Sequence, residues 1–257
     1  MNESEYVKLP SGRPIVVTGS TGKIGHEIVR AIARLGYPMI LPCRNKKKFD
    51  ELACVIKKEF PTVSLRYIAM DLNDTASVKA AVEALSDTTL AGVVNNAGIM
   101  CRHYTLSSDG YETTLNVNYY NTMRFNNALL QQVTQGGALV FTTSITRIFV
   151  PRHINADSVN RHTFGQLKTY ALSKKLITGY ALELARKAES RGIRVNCCDP
   201  GIVNSGMITM HRWYDSLADI FFRPFIRTAY KGAVPAIRAL LSPLSGRIFT
   251  LRNIHKH

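Results

Sequence analysis

Tyr170 and Lys174 place a phenol and an ammonium four residues apart. Side chains at this spacing lie on one face of a helix. A lysine charge near a tyrosine favours the phenolate, so we expect Lys174 to lower the pKa of Tyr170. Such a phenol could exchange a proton with a substrate oxygen near neutral pH, which is acid–base chemistry. Because Tyr-x-x-x-Lys often arises by chance, this interpretation needs support from the rest of the chain.

A glycine-rich segment near the N-terminus indicates a site for a nucleotide phosphate. Gly19 permits a tight turn, Gly22 lets the backbone approach a pyrophosphate, and Gly25 lets a helix pack closely on a sheet. The helix N-terminus there offers free N–H groups and the positive end of a dipole. A glycine-rich turn without a ligand is the alternative. The candidate phosphate-binding residues are Gly19, Ser20, Thr21, Gly22, Lys23, Ile24 and Gly25.

Arg44 follows the second predicted strand, where the adenosine ribose arrives in a dinucleotide-binding fold. An acidic residue here would bind the 2′-hydroxyl of NAD, whereas an arginine accommodates the 2′-phosphate of NADP. The segment from Cys43 to Lys46 contains no acid, and Lys23 could add a second positive charge. The sequence therefore predicts NADP(H) in preference to NAD(H). The alternative is that Arg44 is one more surface cation.

Short apolar runs alternate with helical patterns along the chain, which indicates βαβ units and a parallel sheet. We predict a single α/β domain over residues 1–257, a doubly wound parallel sheet of the Rossmann type. Residues 13–205 would form the cofactor and catalytic core, and 206–228 an apolar substrate lid. Strands are predicted at 14–18, 37–43, 63–70, 90–94, 138–143, 193–198 and 247–251, and helices at 22–35, 46–60, 75–85, 110–132 and 167–191.

Composition excludes several other classes of protein. Apolar residues make up 46% of the chain, yet no apolar run approaches the roughly 18 residues that a membrane span needs. The five cysteines suggest neither a metal site nor a disulfide framework, so we expect no metal and a reduced, cytoplasmic setting. The net charge is +15, but the basic residues are scattered without a nucleic-acid-binding motif, so no nucleic-acid partner is predicted.

Together these features resemble the short-chain dehydrogenase/reductase family over about residues 14–249. The resemblance implies a catalytic set of Asn118, Ser144, Tyr170 and Lys174. In the reductive direction Tyr170 would donate a proton to the substrate oxygen and Ser144 would hydrogen-bond the same oxygen. Lys174 would also bind the nicotinamide ribose, and Asn118 would hold a water that links Lys174 to solvent.

The same resemblance extends the set of cofactor-binding residues. Asp71 matches the residue that binds the adenine amino group, and Asn95-Asn96-Ala97-Gly98 matches the segment that supports the sheet and borders the adenosine ribose. Pro200 and Gly201 match the turn beside the nicotinamide. The implied additions are Asp71, Leu72, Asn96, Ala97, Gly98, Tyr170, Lys174, Pro200, Gly201, Val203 and Ser205.

Within the family the chain looks most like the retinol-dehydrogenase-like carbonyl reductases. Ser144 and Tyr170 lie 26 positions apart, and the extra segment resembles the longer loop of that group. The resemblance implies a lipophilic carbonyl or alcohol substrate and a homo-oligomer formed through the long helices at 110–132 and 167–191. Many members carry a membrane anchor. This chain shows none, and peripheral membrane contact through 207–225 stays open.

Two other functions remain open on the same fold. One is a regulatory protein that senses NADPH without catalysis. The other is an epimerase or dehydratase of the extended branch, because the Thr-Gly-x-x-Gly-x-x-Gly spacing at 18–25 is typical of that branch. The length of the chain and the Asn-Asn-Ala-Gly segment argue against the second, and the intact Ser144, Tyr170 and Lys174 argue against the first.

Overall fold

The computed structural model describes residues 6–151, 155–201 and 228–256 of the chain. Val203, Ser205 and the predicted lid at 206–228 lie outside these ranges, except for Thr228, which caps a helix. The fold therefore tests the predicted core and leaves the lid a prediction.

A single sheet runs through the described part of the chain, with strand order β3-β2-β1-β4-β5-β6-β7-β8. All neighbouring strands are parallel except β7 and β8, which are antiparallel. The predicted doubly wound α/β fold is confirmed. The strands are β1 (Ile15–Thr18), β2 (Met39–Cys43), β3 (Leu65–Ala69), β4 (Leu90–Asn95), β5 (Val133–Thr142), β6 (Arg194–Cys198), β7 (Arg247–Phe249) and β8 (Ile254–Lys256).

Helices cover both faces of this sheet. They are α1 (Lys23–Arg34), α2 (Lys46–Glu59), α3 (Thr75–Glu83), α4 (Thr113–Leu115), α5 (Asn121–Leu129), α6 (Gln166–Ala188) and α7 (Ala229–Leu241). A π-helical turn (Asn116–Tyr120) joins α4 to α5, and short 3-10 turns follow α5 and α6. The single helix predicted at 110–132 is thus divided into four consecutive segments, wound as α, π, α and 3-10 helix, that begin at Thr113.

Two apolar layers hold the helices to the sheet. Alternate residues of each strand point to opposite faces, so Ile15 and Val17 join one layer while Val16 joins the other. Helices α1, α2 and α7 pack on the first face, and α3, α5 and α6 on the second. Parallel strands buried on both faces read as continuous apolar runs, which is why most of them were predictable.

Three parts of the fold differ from the sequence prediction. Strand β5 begins at Val133 rather than 138 and ends at Thr142, because Val133 pairs with Leu90 across a shift in register. Helix α7 was not predicted, since small residues such as Ala233, Ala236 and Ala239 form much of its buried face and give a weak periodic signal. Strand β8 was missed because its three residues carry no apolar alternation.

Candidate active site

The structure brings Ser144, Tyr170 and Lys174 together at the carboxyl end of β5. Ser144 comes two residues after this strand, and its side chain hydrogen-bonds that of Tyr170. Tyr170 and Lys174 occupy successive turns of α6, and the Lys174 Nζ atom lies 5.6 Å from the centroid of the Tyr170 ring. Lys174 is buried and donates to the carbonyl oxygen of Thr142 over 3.0 Å. The carboxyl ends of parallel strands are where such folds bind ligands.

Asn118 lies behind this cluster in the π-helical turn. Its amide nitrogen donates to the Ile99 carbonyl over 2.8 Å and to Ser173 Oγ over 2.9 Å, while its oxygen accepts the Ile99 N–H over 2.8 Å. These bonds attach the loop after β4 to α6. Single π-helical turns occur frequently at functional sites. The water that Asn118 was expected to hold stays a prediction.

The protonation of the pair differs from the sequence expectation. Burial raises the pKa of Tyr170 to about 12, and the charge of Asp199 adds to this rise, while the hydrogen bond with Ser144 opposes it. The expectation that Lys174 lowers the pKa of Tyr170 is wrong for this arrangement, because desolvation of the phenolate is the larger effect. Tyr170 is therefore a protonated acid at neutral pH, ready to donate.

Burial acts on the lysine in the opposite direction. It lowers the pKa of Lys174 to about 8, although Cys198, Asp199 and Cys197 each favour the charged form. The same desolvation raises the pKa of Cys198 to about 12 and also raises that of Cys197, so both thiols stay protonated. Keeping Lys174 charged in this poorly solvated place therefore lowers the free energy of unfolding.

In the turn between β1 and α1, glycines occupy the positions where neighbouring backbone leaves no room for a Cβ atom. Gly19 has a φ of +65°, and a Cβ there would lie 2.7 Å from Ala97 Cα. A Cβ at Gly25 would lie 2.1 Å from the carbonyl oxygen of Gly19, so only glycine allows α1 to start so close to the turn. A Cβ at Gly22 would meet only the Gly19 oxygen, at 3.4 Å, on the open side of the turn.

The first turn of α1 fits a phosphate group. Gly22 is its N-cap and supplies no side-chain hydrogen bond, so the first N–H groups of the helix have no cap from this residue. Ser20 is fully buried beside them, and its Oγ atom has no hydrogen-bond partner among the described residues. Thr21 lines the adjoining cleft, Lys23 is exposed, and Ile24 packs on the core. The predicted phosphate-binding segment is therefore placed suitably for that role.

A cleft of about 210 Å³ continues from this turn across the ends of β2, β3 and β4. Arg44 and Asp71 face each other at its rim, with 3.8 Å between Arg44 Nη1 and Asp71 Oδ2. The Arg44 side chain is 70% exposed, so this ion pair contributes little to stability and leaves the guanidinium accessible to a ligand. Other residues that line the cleft are Thr18, Gly19, Thr21, Leu72, Ala97 and Gly98.

Asparagines connect the floor of the cleft to the sheet. Asn96 Nδ2 donates to the Gly19 carbonyl over 3.1 Å, which ties the β4 loop to the glycine turn. Asn95 and Asn126 are buried and exchange two amide hydrogen bonds of 2.9 and 2.8 Å. Asn121 is also buried and donates to the Leu72 carbonyl over 3.0 Å. The Asn-Asn-Ala-Gly segment thus supports the sheet, as the resemblance implied.

Arg147 and Asp199 form a buried ion pair beside the site that the sequence analysis missed. Arg147 Nη1 lies 3.5 Å from Asp199 Oδ2 and donates to the Ser144 carbonyl over 2.9 Å. Asp199 Oδ1 accepts the N–H of Gly201 over 2.9 Å. No local pattern could reveal a pair separated by 52 residues. Pro200 and Gly201 follow directly, in the turn predicted beside the nicotinamide.

An apolar hollow of about 550 Å³ lies next to the catalytic cluster, between the 3-10 turn after Ser144 and helix α6. Neither Ser144 nor Tyr170 lines it, but Thr146, two residues after Ser144, and Ala171, directly after Tyr170, do. Its lining residues are Thr146, Phe149, Val150, Pro151, Leu167, Lys168, Ala171 and Leu172. Phe149 is 75% exposed, which is unusual for so large an apolar side chain.

A glycine turn, a cleft beside it and the cluster of Ser144, Tyr170 and Lys174 thus lie at one edge of a parallel sheet, an arrangement suited to a dinucleotide and an acid–base reaction. A family profile described as short chain dehydrogenase matches residues 13–213, and the chain belongs to that family. The protein is thus an oxidoreductase that acts on CH–OH or C=O groups with a nicotinamide cofactor.

Similar proteins agree with this assignment. Human retinol dehydrogenase 12 is 30% identical, and the match covers 95% of this chain and 79% of the relative. Mouse polyprenol dehydrogenase is 28% identical over 90% of this chain and 72% of its own. A short chain dehydrogenase from Burkholderia cenocepacia J2315, solved in complex with NADP, shares the fold with a TM-score of 0.75 at 23% identity, over 93% of this chain and 96% of that one. Among the helices the structure describes, none is long and apolar enough to cross a membrane.

Proposed function

We propose that the protein is an NADP(H)-dependent carbonyl reductase that transfers a hydride between the nicotinamide and a lipophilic carbonyl or alcohol. The observation that carries this proposal is the convergence of Ser144, Tyr170 and Lys174 beside the glycine turn. The exposed Arg44 at the adenosine cleft supports NADP(H), as does the NADP complex of the Burkholderia neighbour. The apolar hollow and relatives named for retinol and polyprenol support a lipophilic substrate.

The residues that would hold the cofactor divide into three groups along the sheet edge. Residues 19–25 would contact the pyrophosphate, and Arg44, Asp71 and Leu72 the adenosine end. Asn96, Ala97 and Gly98 would form the floor. Lys174, Pro200 and Gly201 would border the nicotinamide end, and Val203 and Ser205, outside the described residues, complete the proposed set. When bound, the cofactor supplies the hydride.

The chain itself would supply the proton and the charge stabilisation. Tyr170, protonated at neutral pH, donates to the oxygen of the carbonyl as the alcohol forms. Ser144 Oγ hydrogen-bonds the same oxygen and stabilises the negative charge that develops there. Lys174, whose Nζ atom lies 5.6 Å from the centroid of the Tyr170 ring, would hold the nicotinamide ribose beside the proton donor. Asn118 holds the β4 loop against α6 and so keeps Lys174 in place.

The test is the consumption of NADPH with retinal, decanal, a steroid ketone and a quinone. Replacing Tyr170 by Phe should lower kcat/KM by about 10²- to 10⁴-fold, because it removes the proton donor. Tyr180→Phe is the matched control, since Tyr180 lies on the same helix and its hydroxyl bonds Asn127 instead. Turnover that survives Tyr170→Phe would show that the acid–base assignment is wrong.

Two other outcomes would identify the alternatives. Tight binding of NADPH without turnover of any compound would favour a regulatory protein. A cofactor that copurifies with the protein and is not consumed would favour an epimerase or dehydratase. Both are measured in the same assay, by fluorescence of the bound nucleotide before and after addition of substrate.

A homo-oligomer, most simply a dimer, in the cytoplasm completes the proposal. The rings of Tyr119 and Tyr120 contact each other in a tilted arrangement beside α5, with 5.0 Å between their centroids, and Tyr180 lies on α6. All three rings stay half-buried in the single chain. Light scattering over a range of concentrations tests the oligomer, and cell fractionation tests the location and any peripheral membrane contact.

A further inference from the structure

Arg147 connects two segments that border the reacting groups. It lies one turn after Ser144, and its guanidinium is largely buried, with 13% of the side chain exposed. The Nη1 atom donates to the Ser144 carbonyl over 2.9 Å and lies 3.5 Å from Asp199 Oδ2. The other oxygen of Asp199 accepts the N–H of Gly201 over 2.9 Å. One continuous series of contacts thus runs from Ser144 to the Pro-Gly turn.

The Asp199 carboxylate, with which Arg147 pairs, lies where its charge acts on the proposed acid–base pair. Asp199 is 7% exposed, and its carboxylate raises the pKa of both Tyr170 and Lys174. The other groups around these two are the Ser144 hydroxyl, the Cys198 thiol and the Cys197 thiol, whose pKa Arg147 acts to lower. A buried carboxylate that loses its partner keeps an uncompensated charge, which is strongly unfavourable.

We propose that Arg147 is a positioning residue for the proposed reaction: it ties the Ser144 segment to the turn at Pro200–Gly201 and neutralises the charge of Asp199 beside Tyr170. This inference rests on the proposed oxidoreductase function, because it gives Ser144 and Tyr170 the roles stated above. It adds a residue pair that the sequence analysis did not identify.

The geometry explains why an arginine serves at this position. One nitrogen reaches a backbone carbonyl and a carboxylate at once, and the planar fork of the guanidinium keeps both directions set. Ser144 Oγ must lie within hydrogen-bond distance of the substrate oxygen, and a displacement of about 1 Å can cost about 10²-fold in rate. Holding the backbone carbonyl of Ser144 itself is a direct way to hold its side chain.

The test compares four variants with the wild type in the full chain. Arg147→Met removes the charge and both contacts, and Arg147→Lys restores the charge alone. Arg147→Met combined with Asp199→Asn removes both charges. Arg186→Met is the matched control, because Arg186 is exposed on the last turn of α6.

Two quantities are measured for each protein. The first is kcat/KM against pH, with NADPH and the panel compound that the wild type reduces fastest. The second is deuterium exchange of the backbone amides in peptides that contain 144–147 and 199–201. Exchange needs neither substrate nor cofactor.

We expect Arg147→Met to lower kcat/KM by about 10- to 100-fold and to move its pH dependence to higher pH. The direction follows because Asp199, no longer neutralised, would raise the pKa of Lys174, which at about 8 lies within the range of the assay. Arg147→Lys should restore the pH dependence of the wild type but recover only part of the lost kcat/KM, because it returns the charge without both contacts. In the double variant the pH dependence should return towards that of the wild type, since neither the Arg147 nor the Asp199 charge remains. Exchange in both peptides should be faster in Arg147→Met, and Arg186→Met should match the wild type throughout.

The failures of the two proposals are distinguishable. If the wild type shows no turnover that depends on Tyr170, the proposed function fails, and exchange then decides whether Arg147 ties the two segments. If Arg147→Met keeps both the pH profile and the exchange rates of the wild type, the inference is overturned. The electrostatic role would likewise be overturned if Arg147→Met and the double variant lost the same activity and both kept the pH dependence of the wild type. If Arg147→Met does not fold, Arg147→Lys and the double variant are compared with the wild type in the same two measurements, and wild-type values in both would overturn the inference.

Discussion

Lys174→Met should reveal how much stability the protein gives up to keep an ammonium in the site. Lys174 is 3% exposed, and burial lowers its pKa from 10.5 to about 8. At about 1.36 kcal/mol for each pH unit, this difference corresponds to about 3 kcal/mol of unfolding free energy at pH 7. The substitution also leaves the Thr142 carbonyl without its 3.0 Å hydrogen bond, which costs about 1–3 kcal/mol.

The dependence on pH separates these two contributions. Because the pKa of Lys174 is lower in the folded than in the unfolded state, the unfolded state binds more protons between pH 8 and 10.5, and stability rises with pH there. The cost is fully present below pH 8 and disappears above 10.5. Between pH 7 and 9.5 the wild type should gain about 2 kcal/mol relative to Lys174→Met. The lost hydrogen bond does not titrate and drops out of this comparison.

Urea denaturation of both proteins at several pH values between 7 and 9.5 measures the difference. Lys175→Met is the matched control, since the next lysine along the helix also donates to a backbone carbonyl, that of Pro151 over 2.6 Å. Its difference from the wild type should stay constant over the same range. Parallel stability curves for the wild type and Lys174→Met would refute the argument, because they would mean that folding does not perturb the Lys174 amine.

Four further predictions concern the proposed cofactor site and its support. Gly25→Ala should lower the free energy of unfolding by about 1–3 kcal/mol and weaken NADPH binding, because its Cβ would lie 2.1 Å from the Gly19 oxygen. Gly22→Ala should change stability by less than about 1 kcal/mol yet weaken NADPH binding at least about tenfold, and equal effects of the two variants in calorimetry would contradict the proposed phosphate site. Arg44→Ser should lower the ratio of NADPH to NADH affinity by about tenfold or more, and an unchanged ratio in fluorescence titration would remove Arg44 from the site. Asn126→Ala should cost about 1–3 kcal/mol in urea denaturation, because it leaves the buried side-chain oxygen of Asn95 without its donor, and a near-neutral result would argue against that pair.

Much of the fold was predictable because its signals are local. The strands at 15–18 and 39–43 are apolar runs bounded by turns, and helix α2 starts after Asn45, whose side chain caps it. The crowded positions Gly19 and Gly25 were identified correctly because a tight turn and a close helix both exclude a Cβ. The placement of Tyr170 and Lys174 on one helix follows from spacing alone.

Other features depended on contacts that spacing cannot reveal. The π-helical turn at Asn116–Tyr120 is held by long-range bonds such as that from Asn118 to Ser173, 55 positions away. Helix α7 is fixed by packing against α1 and the sheet rather than by its own pattern. The same reason applies to Arg147 and Asp199, whose meeting requires β5 and β6 to lie side by side.

The sequence by itself determined the class of the protein and pointed to the glycine turn and to Tyr170 and Lys174 as the proposed acid–base pair, because these depend on residue types at short spacing. Only the tertiary structure decided the direction in which the pKa values of that pair move. Spacing suggested a tyrosine acidified by a neighbouring lysine, whereas burial in the folded chain raises the pKa of Tyr170 and lowers that of Lys174. Desolvation depends on every atom packed around a group, and that environment exists only once β5, β6 and α6 have assembled.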